Sequence, residues 1–397
     1  MRRIITIWIT LVLSLGVYAQ KKEMAQAKEF VKKGTNLPQA ESLMKNLLKD
    51  SANRTNEKIW LILFEAQKKQ YDQGNEKMYL KQQLDTATLF DAAKRMFKTL
   101  EGLDSVDMMP DEKGKVKLAY RKKHAELLNV YRKNLFNGGA FFINQKKYKE
   151  AYEYFDLYID CARQPLFTDY KYDETDTAMP EAAYWAVYCG YKIQDPKATL
   201  HHTYLALKDT AHHQYMLQYL AETYKLEKDD KRYVEALTEG FRRYPKFQFF
   251  FPRLIEYYAE TGEWSKALEV CDEGLAKDST NVLYRFSKSS VLLSMKRYDE
   301  CVAICKLLLA ECDTLYGVHL NAGLAYFNKA VEMEKNISKQ PSRRKEINQL
   351  YKEALPYIEK YRAKAPEQKQ MWGLPLYTIY LNLNMGKEFE EIDKLMR

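Results

Sequence analysis

One spacing, 34 residues, recurs in the carboxyl-terminal half of the sequence and constrains its fold more than any other feature. The spacing holds for three series of apolar positions: Tyr258, Leu292 and Tyr326; Trp264 and Tyr298; Ala267 and Cys301. A segment of that length accommodates two helices with their turns, and one such unit cannot bury its apolar face alone. The period therefore predicts an all-α array in which each helix pair packs against the next.

The clearest copy of this unit begins at Phe251, turns at Gly262 and continues through Ala267 and Cys271. Two fainter copies lie upstream and contain Leu135, Gly139, Ala151 and Phe155, and then Leu217, Ala221, Tyr233 and Ala236. Antiparallel helices need a small residue where their axes come closest, which accounts for the recurring Gly or Ala. Large side chains three and four residues apart then fill the seam to the neighbouring pair.

These motifs resemble the tetratricopeptide-repeat (TPR) superfamily, from about Leu127 to Phe389. The resemblance implies a right-handed superhelical α-solenoid whose last helix, from Lys387 onward, caps the array. Between Tyr326 and Tyr351 the chain carries an insertion of about 19 residues with helical composition. Both helices of that pair are therefore expected to be longer than their counterparts.

Three segments are predicted along the chain. Residues 1–19 form a signal peptide, residues 20–115 form degenerate TPR-like helix pairs, and residues 116–397 form the TPR array with its capping helix. The stretch from Asp104 to Lys115 contains the helix breakers Pro110 and Gly114 and is predicted to be a loop. It separates the second and third segments either as a domain boundary or as a bend within one array.

The first nineteen residues have the pattern of an export signal. Arg2 and Arg3 precede an almost wholly apolar stretch from Ile4 to Val17, and Val17 and Ala19 supply small side chains for a signal peptidase. The apolar stretch is shorter than the roughly 20 residues that span a bilayer. We expect cleavage after Ala19 and a periplasmic or secreted chain. No cysteine follows closely, so a lipoprotein is not expected, and no integral membrane segment is expected after processing.

The charge balance argues against a nucleic-acid partner. The chain has 63 basic and 54 acidic residues, and loss of the leader leaves 61 basic residues and a net charge of +7. This excess is mild, and short basic clusters of the kind found here are typical of solvated helix faces. An exported protein also seldom meets nucleic acid.

The sequence contains none of the strong catalytic fingerprints. G-x-G-x-x-G, the P-loop, H-E-x-x-H, C-x-x-C and G-x-S-x-G are all absent. We therefore predict no catalytic residue, no cofactor and no enzymatic activity. His201-His202 and His212-His213 have metal-ligand character, but adjacent histidines on a helix point to different faces and no Cys, Asp or Glu is obviously placed to complete four ligands. Metal binding is the disfavoured alternative, and no metal ligand is predicted.

The six cysteines permit disulfide bonds in an exported protein. Cys271, Cys301 and Cys305 occupy small or medium core positions of adjacent repeats, which favours buried free thiols that pack as small apolar side chains. The alternative is a bridge between Cys271 and either Cys301 or Cys305.

A candidate binding groove follows from the position one place after the leading large residue of each first helix. In the repeats these positions are Phe136, Trp185, Phe286 and Leu320, and they are expected to face the concave groove. An apolar groove suits an extended or helical segment of another protein. The alternative is that these side chains cover inserted loops of the protein itself.

A triplet of Asp, then Ser or Thr, then Ala, Val, Leu or Thr occurs seven times. A shuffled sequence of this composition would contain about 0.6 such triplets. Their hydroxyl residues are Ser51, Thr86, Ser105, Thr177, Thr210, Ser279 and Thr314. Helix capping at the turns between repeats accounts for most of them. The triplets also resemble the acceptor of a periplasmic O-glycosylation system found in one group of Gram-negative bacteria, which makes these residues candidate glycosylation sites.

The favoured function is a non-catalytic protein–protein interaction scaffold of the bacterial cell envelope, with a protein or peptide partner in the concave groove. The competing function is a carbohydrate-handling accessory protein or enzyme on a helical-repeat scaffold. That function needs converging carboxylates and a platform aromatic. Glu256 and Glu260, near Trp264, are the candidates for it.

Overall fold

A computed structural model describes residues 20–335 and 341–396. Within these ranges the chain is helical, and no β-strand occurs. Its α-helices are α1 (20–33), α2 (Leu37–Leu47), α3 (Glu57–Tyr79), α4 (Thr86–Asp107), α5 (Arg121–Asn144), α6 (Tyr148–Asp160), α7 (Tyr172–Thr175), α8 (Met179–Lys192), α9 (Pro196–His201), α10 (Thr203–Ala206), α11 (His213–Leu226), α12 (Asp230–Arg243), α13 (Phe250–Glu260), α14 (Trp264–Lys277), α15 (Val282–Ser294), α16 (Tyr298–Glu311), α17 (Tyr316–Glu334), α18 (Arg344–Lys364), α19 (Lys369–Asn382) and α20 (Gly386–Met396). The predicted leader, residues 1–19, lies outside the described residues.

The helix pairs predicted from the 34-residue period are confirmed. α14 and α16 begin 34 residues apart, and so do α15 and α17. Successive helices from α13 to α20 contact one another in order, as an array of stacked pairs requires. The chain therefore has the all-α, TPR-type architecture that the repeats indicated.

The longer helices expected around the insertion are also confirmed. α17 has 19 residues and α18 has 21, whereas α15 and α16 have 13 and 14. The extra turns extend the same apolar faces, because Phe327 and Ala330 on α17 pack in one buried cluster with Ile347 and Tyr351 on α18.

The backbone repeats the period even where the side chains do not. Gln194, Lys228, Gly262 and Lys296 are each 34 residues apart, each lies in the turn after the first helix of a pair, and each has φ between 54° and 72°. This left-handed conformation ends a helix and suits glycine best, because the Cβ of any other residue comes too close to that residue's own backbone. Only Gly262 is glycine, so the sequence signal at the other three turns is weak.

Small residues lie where paired helices come closest, as predicted. Ala151, Ala221 and Ala267 are fully buried. A Cβ added to Gly190 on α8 would lie 2.5 Å from the backbone nitrogen of Thr199 on α9. At that position any side chain would force the two helices apart.

The chain divides into two compact units, one up to Tyr233 and one from Val234 onward. The predicted loop begins after Asp107 and not at Asp104, because α4 continues to Asp107. It lies inside the first unit, where α4 and α5 pack together through Phe90 and Phe141. The division of the chain into a segment of degenerate pairs, residues 20–115, and an array from residue 116 stays a prediction. Among the described residues, none of the helices is both long and apolar enough to cross a membrane.

Candidate functional site

Phe286 lies in an apolar groove of the second compact unit, and this groove is the candidate binding site. The groove has a volume of about 570 Å³ and is lined by Val282, Leu283 and Phe286 of α15 and by Thr314, Leu315, Tyr316, Gly317 and Val318 at the start of α17. Val282, Leu283 and Tyr316 expose 43%, 41% and 49% of their surface. Exposed apolar side chains gathered around one concavity are typical of interaction sites.

A glycine lets the Phe286 ring approach α17 closely. A Cβ on Gly317 would lie 3.1 Å from the ring, which is tighter than ordinary van der Waals contact. On the α18 side, the ring of Tyr361 lies 6.0 Å from that of Tyr316. The period pointed to Phe286, but it did not indicate the exposed partners Leu283 and Tyr316.

Charged pairs lie beside the apolar lining. Arg285 of α15 forms an ion pair with Glu311 at 2.6 Å, and Lys360 of α18 forms one with Asp313 at 3.0 Å. Glu311, Lys360 and Asp313 are exposed, so solvent screens both pairs and they add little stability. An apolar centre with polar groups at its margin is the usual composition of a protein-binding surface.

Leu320 does not belong to this groove. It is buried on α17 and packs in the cluster that contains Phe327 and Ile358. The helical position that we assigned to the concave face is covered here by α18. A buried leucine offers no surface to a partner, and its role is in the core.

Phe136 lies on α5 in the first compact unit, half-buried against the second helix of its own pair. Its ring meets Phe155 and Tyr158 of α6 edge-on, with centroids 5.4 and 5.8 Å apart. Its contacts are therefore part of the α5–α6 seam. Substitution of Phe136 would therefore weaken the packing of α5 against α6 as well as the binding of any partner.

Trp185 lies on α8 in a cluster of aromatic rings. Its ring is 4.9 Å from Tyr184, 5.7 Å from Tyr188 and 5.9 Å from His212, and its Nε1 donates a hydrogen bond to Glu181 at 3.3 Å. The side chain is half-buried. Trp185 thus keeps some exposed surface, but it lies in a different compact unit from the Phe286 groove.

Five of the seven aspartates in the Asp-Ser/Thr triplets make the same local hydrogen bond. The Oδ1 of each accepts from the backbone nitrogen two residues later: Asp50, Asp85, Asp176, Asp209 and Asp278. This is the capping geometry that favours Asp before a helix or turn. Ser105 instead lies inside α4, and Asp313 pairs with Lys360.

Glycosylation of the seven hydroxyl residues stays a prediction. Six of them have exposed side chains and Thr86 is half-buried: the exposed ones are Ser51, Ser105, Thr177, Thr210, Ser279 and Thr314. Exposure is necessary for modification and does not by itself indicate it.

Three histidines, His201, His202 and His212, lie close to aspartates that the sequence did not indicate as their neighbours. His202 Nε2 lies 2.7 Å from Asp156 Oδ1, and His201 Nε2 lies 3.9 Å from the same oxygen. His212 instead bonds Asp209 at 2.7 Å. The sequence did not indicate Asp156 as a neighbour of these histidines, and the structure places it there.

The cysteines are free thiols, and all but Cys312 are buried. Burial raises the pKa of Cys189 and that of Cys271 to about 12. These two thiols remain protonated at neutral pH, in keeping with side chains that pack as small apolar groups.

The carboxylates considered for glycoside chemistry do not converge on the tryptophan. Glu256 and Glu260 are exposed on α13. The concavity at Trp264 is lined instead by residues 262 to 266 and Met295. The pocket with two opposed carboxylates that hydrolysis would need is thus not formed by these residues.

Comparisons with known proteins give remote structural likenesses. No protein-family model and no curated protein matches this sequence. The carboxyl-terminal part of a TPR repeat-containing protein from Cytophaga hutchinsonii is similar over 65% of this chain and 93% of its own, with 14% identity and a TM-score of 0.43. The TPR domain of P58(IPK) is similar over 96% of this chain and 99% of its own, with 12% identity and a TM-score of 0.27. A human IFIT1 dimer with m7Gppp-AAAA is similar over 79% of this chain and 74% of its own, with 17% identity and a TM-score of 0.37. The assignment of the fold depends on the helix pairs of this chain.

Proposed function

We propose that the chain is a non-catalytic scaffold that binds a protein or peptide segment in the groove between α15 and the start of α17. The observation that carries the proposal is the group of exposed apolar side chains around Phe286. In water such a surface is costly to leave uncovered, and burying it on association is favourable.

A peptide segment suits this groove better than a small polar ligand. The lining is apolar apart from Thr314, and the charged pairs lie outside it. Two or three apolar side chains of an extended or helical segment would contact Leu283, Phe286 and Tyr316, while the segment's backbone reaches the polar margin.

The proposed setting is the bacterial cell envelope. This part depends on the leader alone, in which Arg2 and Arg3 precede an apolar stretch and Ala19 ends a peptidase recognition site. We propose that the mature chain begins at Gln20 and carries no lipid. Amino-terminal sequencing of the protein from envelope material tests this, and retention of Met1 or attachment of a lipid would contradict it.

The binding proposal is tested with a displayed peptide library selected on the full-length mature chain. We expect selected peptides to carry spaced apolar residues and to lose about 5- to 150-fold in affinity when Leu283→Ser and Phe286→Ala are combined, which corresponds to roughly 1 to 3 kcal/mol. The matched control is Leu307→Ser, since Leu307 is equally apolar, is exposed on α16 and lies outside the groove.

Two results would contradict the proposal. One is a library that yields no binder. The other is a set of binders that tolerate the groove substitutions but lose affinity with Leu307→Ser. Circular dichroism of each variant separates lost binding from lost folding.

A further inference from the structure

We propose that Asp156, His201 and His202 form a binding site for one zinc ion in the first compact unit. The Asp156 carboxylate extends from α6, and the two imidazoles belong to the end of α9. One carboxylate oxygen and one nitrogen from each histidine lie within 4.8 Å of one another. Imidazole and carboxylate groups are the ligands of many three-residue zinc sites.

An interruption of the helix brings the two adjacent histidines together. Consecutive residues of a regular helix do not face each other. Here α9 ends at His201, and His202 has φ −108° and ψ 13°, outside the helical range. The two rings consequently approach to 4.3 Å between centroids, at 68° to each other. The break therefore turns both side chains towards α6.

The observed distances need only small adjustments to accommodate the ion. Zinc binds nitrogen and oxygen at about 2.0 to 2.2 Å, which places tetrahedral ligands about 3.4 Å apart. The 2.7 Å separation between Asp156 and His202 would open, and the 3.9 Å separation between Asp156 and His201 would close. His202 is buried and fixed in place, whereas His201 and Asp156 are half-exposed and can rotate.

Zinc would take the place of the hydrogen bond between His202 and Asp156. The same two atoms, His202 Nε2 and Asp156 Oδ1, lie 2.7 Å apart and would both bind the ion, and any proton held between them would be released to solvent.

Two further side chains define the surroundings. Tyr152 of α6 lies against His202, with ring centroids 6.5 Å apart, and burial raises the pKa of its hydroxyl, so the phenol is neutral. Arg163 is close enough to influence Asp156, and its positive charge weakens the attraction for a dication.

Three protein ligands leave at least one coordination position to water. The side chains of His201 and Asp156 expose 49% and 40% of their surface, so water reaches that position. The ion would join α6 to the end of α9. Zinc should therefore stabilise the first compact unit as well as bind to it.

The test is a titration of the metal-free, full-length mature chain with Zn²⁺ in a calorimeter. We expect one ion per chain and a rise in the unfolding temperature with Zn²⁺ that Mg²⁺ does not produce. His201→Ala and Asp156→Asn should each weaken zinc binding at least about tenfold, because each removes one of three ligands. Both residues are half-exposed, so these variants should fold. Co²⁺ absorption in the visible range gives a second readout of coordination by nitrogen and oxygen.

His212→Gln is the matched control. His212 also bonds a single aspartate, Asp209, at the same 2.7 Å, and it lies outside the cluster of Asp156, His201 and His202. It should leave zinc affinity unchanged. The proposal fails if the wild-type chain does not bind zinc stoichiometrically. It fails equally if His201→Ala and Asp156→Asn retain wild-type affinity, or if His212→Gln loses as much affinity as they do.

Discussion

Arg132 on α5 and Asp176, 44 residues later, form a buried ion pair that ties α5 to the segment before α8. The guanidinium lies between the rings of Tyr158 and Tyr172, 3.8 Å from the centroid of each, and its Nη2 donates to the backbone oxygen of Tyr158 at 3.0 Å. Asp176 also accepts a hydrogen bond from the Tyr158 hydroxyl at 2.7 Å. One charged group thus organises three separate elements.

Replacement of this arginine should be costly. Arg132→Met keeps much of the volume but leaves Asp176 without its cation, and we expect a loss of about 3 kcal/mol in the free energy of unfolding. Urea unfolding followed by circular dichroism measures it. Arg232→Met is the matched control, because Arg232 pairs with Asp229 at the surface, and this substitution should cost much less. Equal losses in the two variants would contradict the role assigned to Arg132.

The turns with positive φ predict opposite effects for two substitutions. Lys228 has φ 59°, so Lys228→Gly should stabilise the chain by about 0.5 to 1 kcal/mol, while Gly262→Ala, at φ 72°, should destabilise it by about 1 kcal/mol. Apart from Gly262 and its two chain neighbours, no atom of the described residues lies within 4 Å of a Cβ at this position, so the cost there is conformational. Lys228→Ala is the control and should change little. Thermal unfolding of the three variants compares them, and a stabilising Gly262→Ala would refute the explanation.

Glu101 on α4 should make stability depend on pH. Burial, followed by the negative charge of Asp160, raises the pKa of Glu101 to about 8, and its buried Oε1 has no hydrogen-bond partner among the described residues. The pKa of an exposed glutamate is about 4.5. Between pH 4.5 and pH 8 the Glu101 carboxyl is therefore ionised in the unfolded chain but protonated in the folded chain. Stability should therefore fall as pH rises through this window.

Glu101→Gln removes that dependence. The variant should gain stability relative to wild type at pH 8, by at most about 4 kcal/mol, and should differ little from it at pH 4. Denaturant unfolding at several pH values gives the difference. Glu126→Gln, exposed on α5, is the control. A difference between Glu101→Gln and wild type that is constant with pH would contradict the assignment.

Phe136, which we predicted to face the groove, should matter more for folding stability than Leu283, which the structure places in the groove. Phe136→Ala removes a half-buried ring that packs against Phe155 and Tyr158, so we expect a loss of about 2 kcal/mol in stability. Leu283→Ala removes an exposed side chain and should cost less than 1 kcal/mol. Chemical unfolding measures both. If Phe136→Ala were as stable as wild type, the ring would be available to a partner after all.

The sequence alone determined the helix pairs and their order. A 34-residue period is a local property: it places Tyr258, Leu292 and Tyr326 at equivalent points of successive units whatever lies beside them. The extra length of α17 and α18 followed from composition for the same reason, because helix formation over a few turns depends on neighbouring residues. Aspartates at the turns were likewise predictable as caps.

Only the tertiary structure decided which faces are covered. Periodicity placed Phe286 and Leu320 at equivalent helical positions, yet one borders an open groove and the other is buried under α18. The approach of Asp156 to His202 across 46 residues depends on a break after α9 and on the packing around α6, neither of which leaves a pattern in the chain. Spacing fixes the direction of a side chain on its own helix, whereas its surroundings depend on long-range packing that a local pattern does not encode.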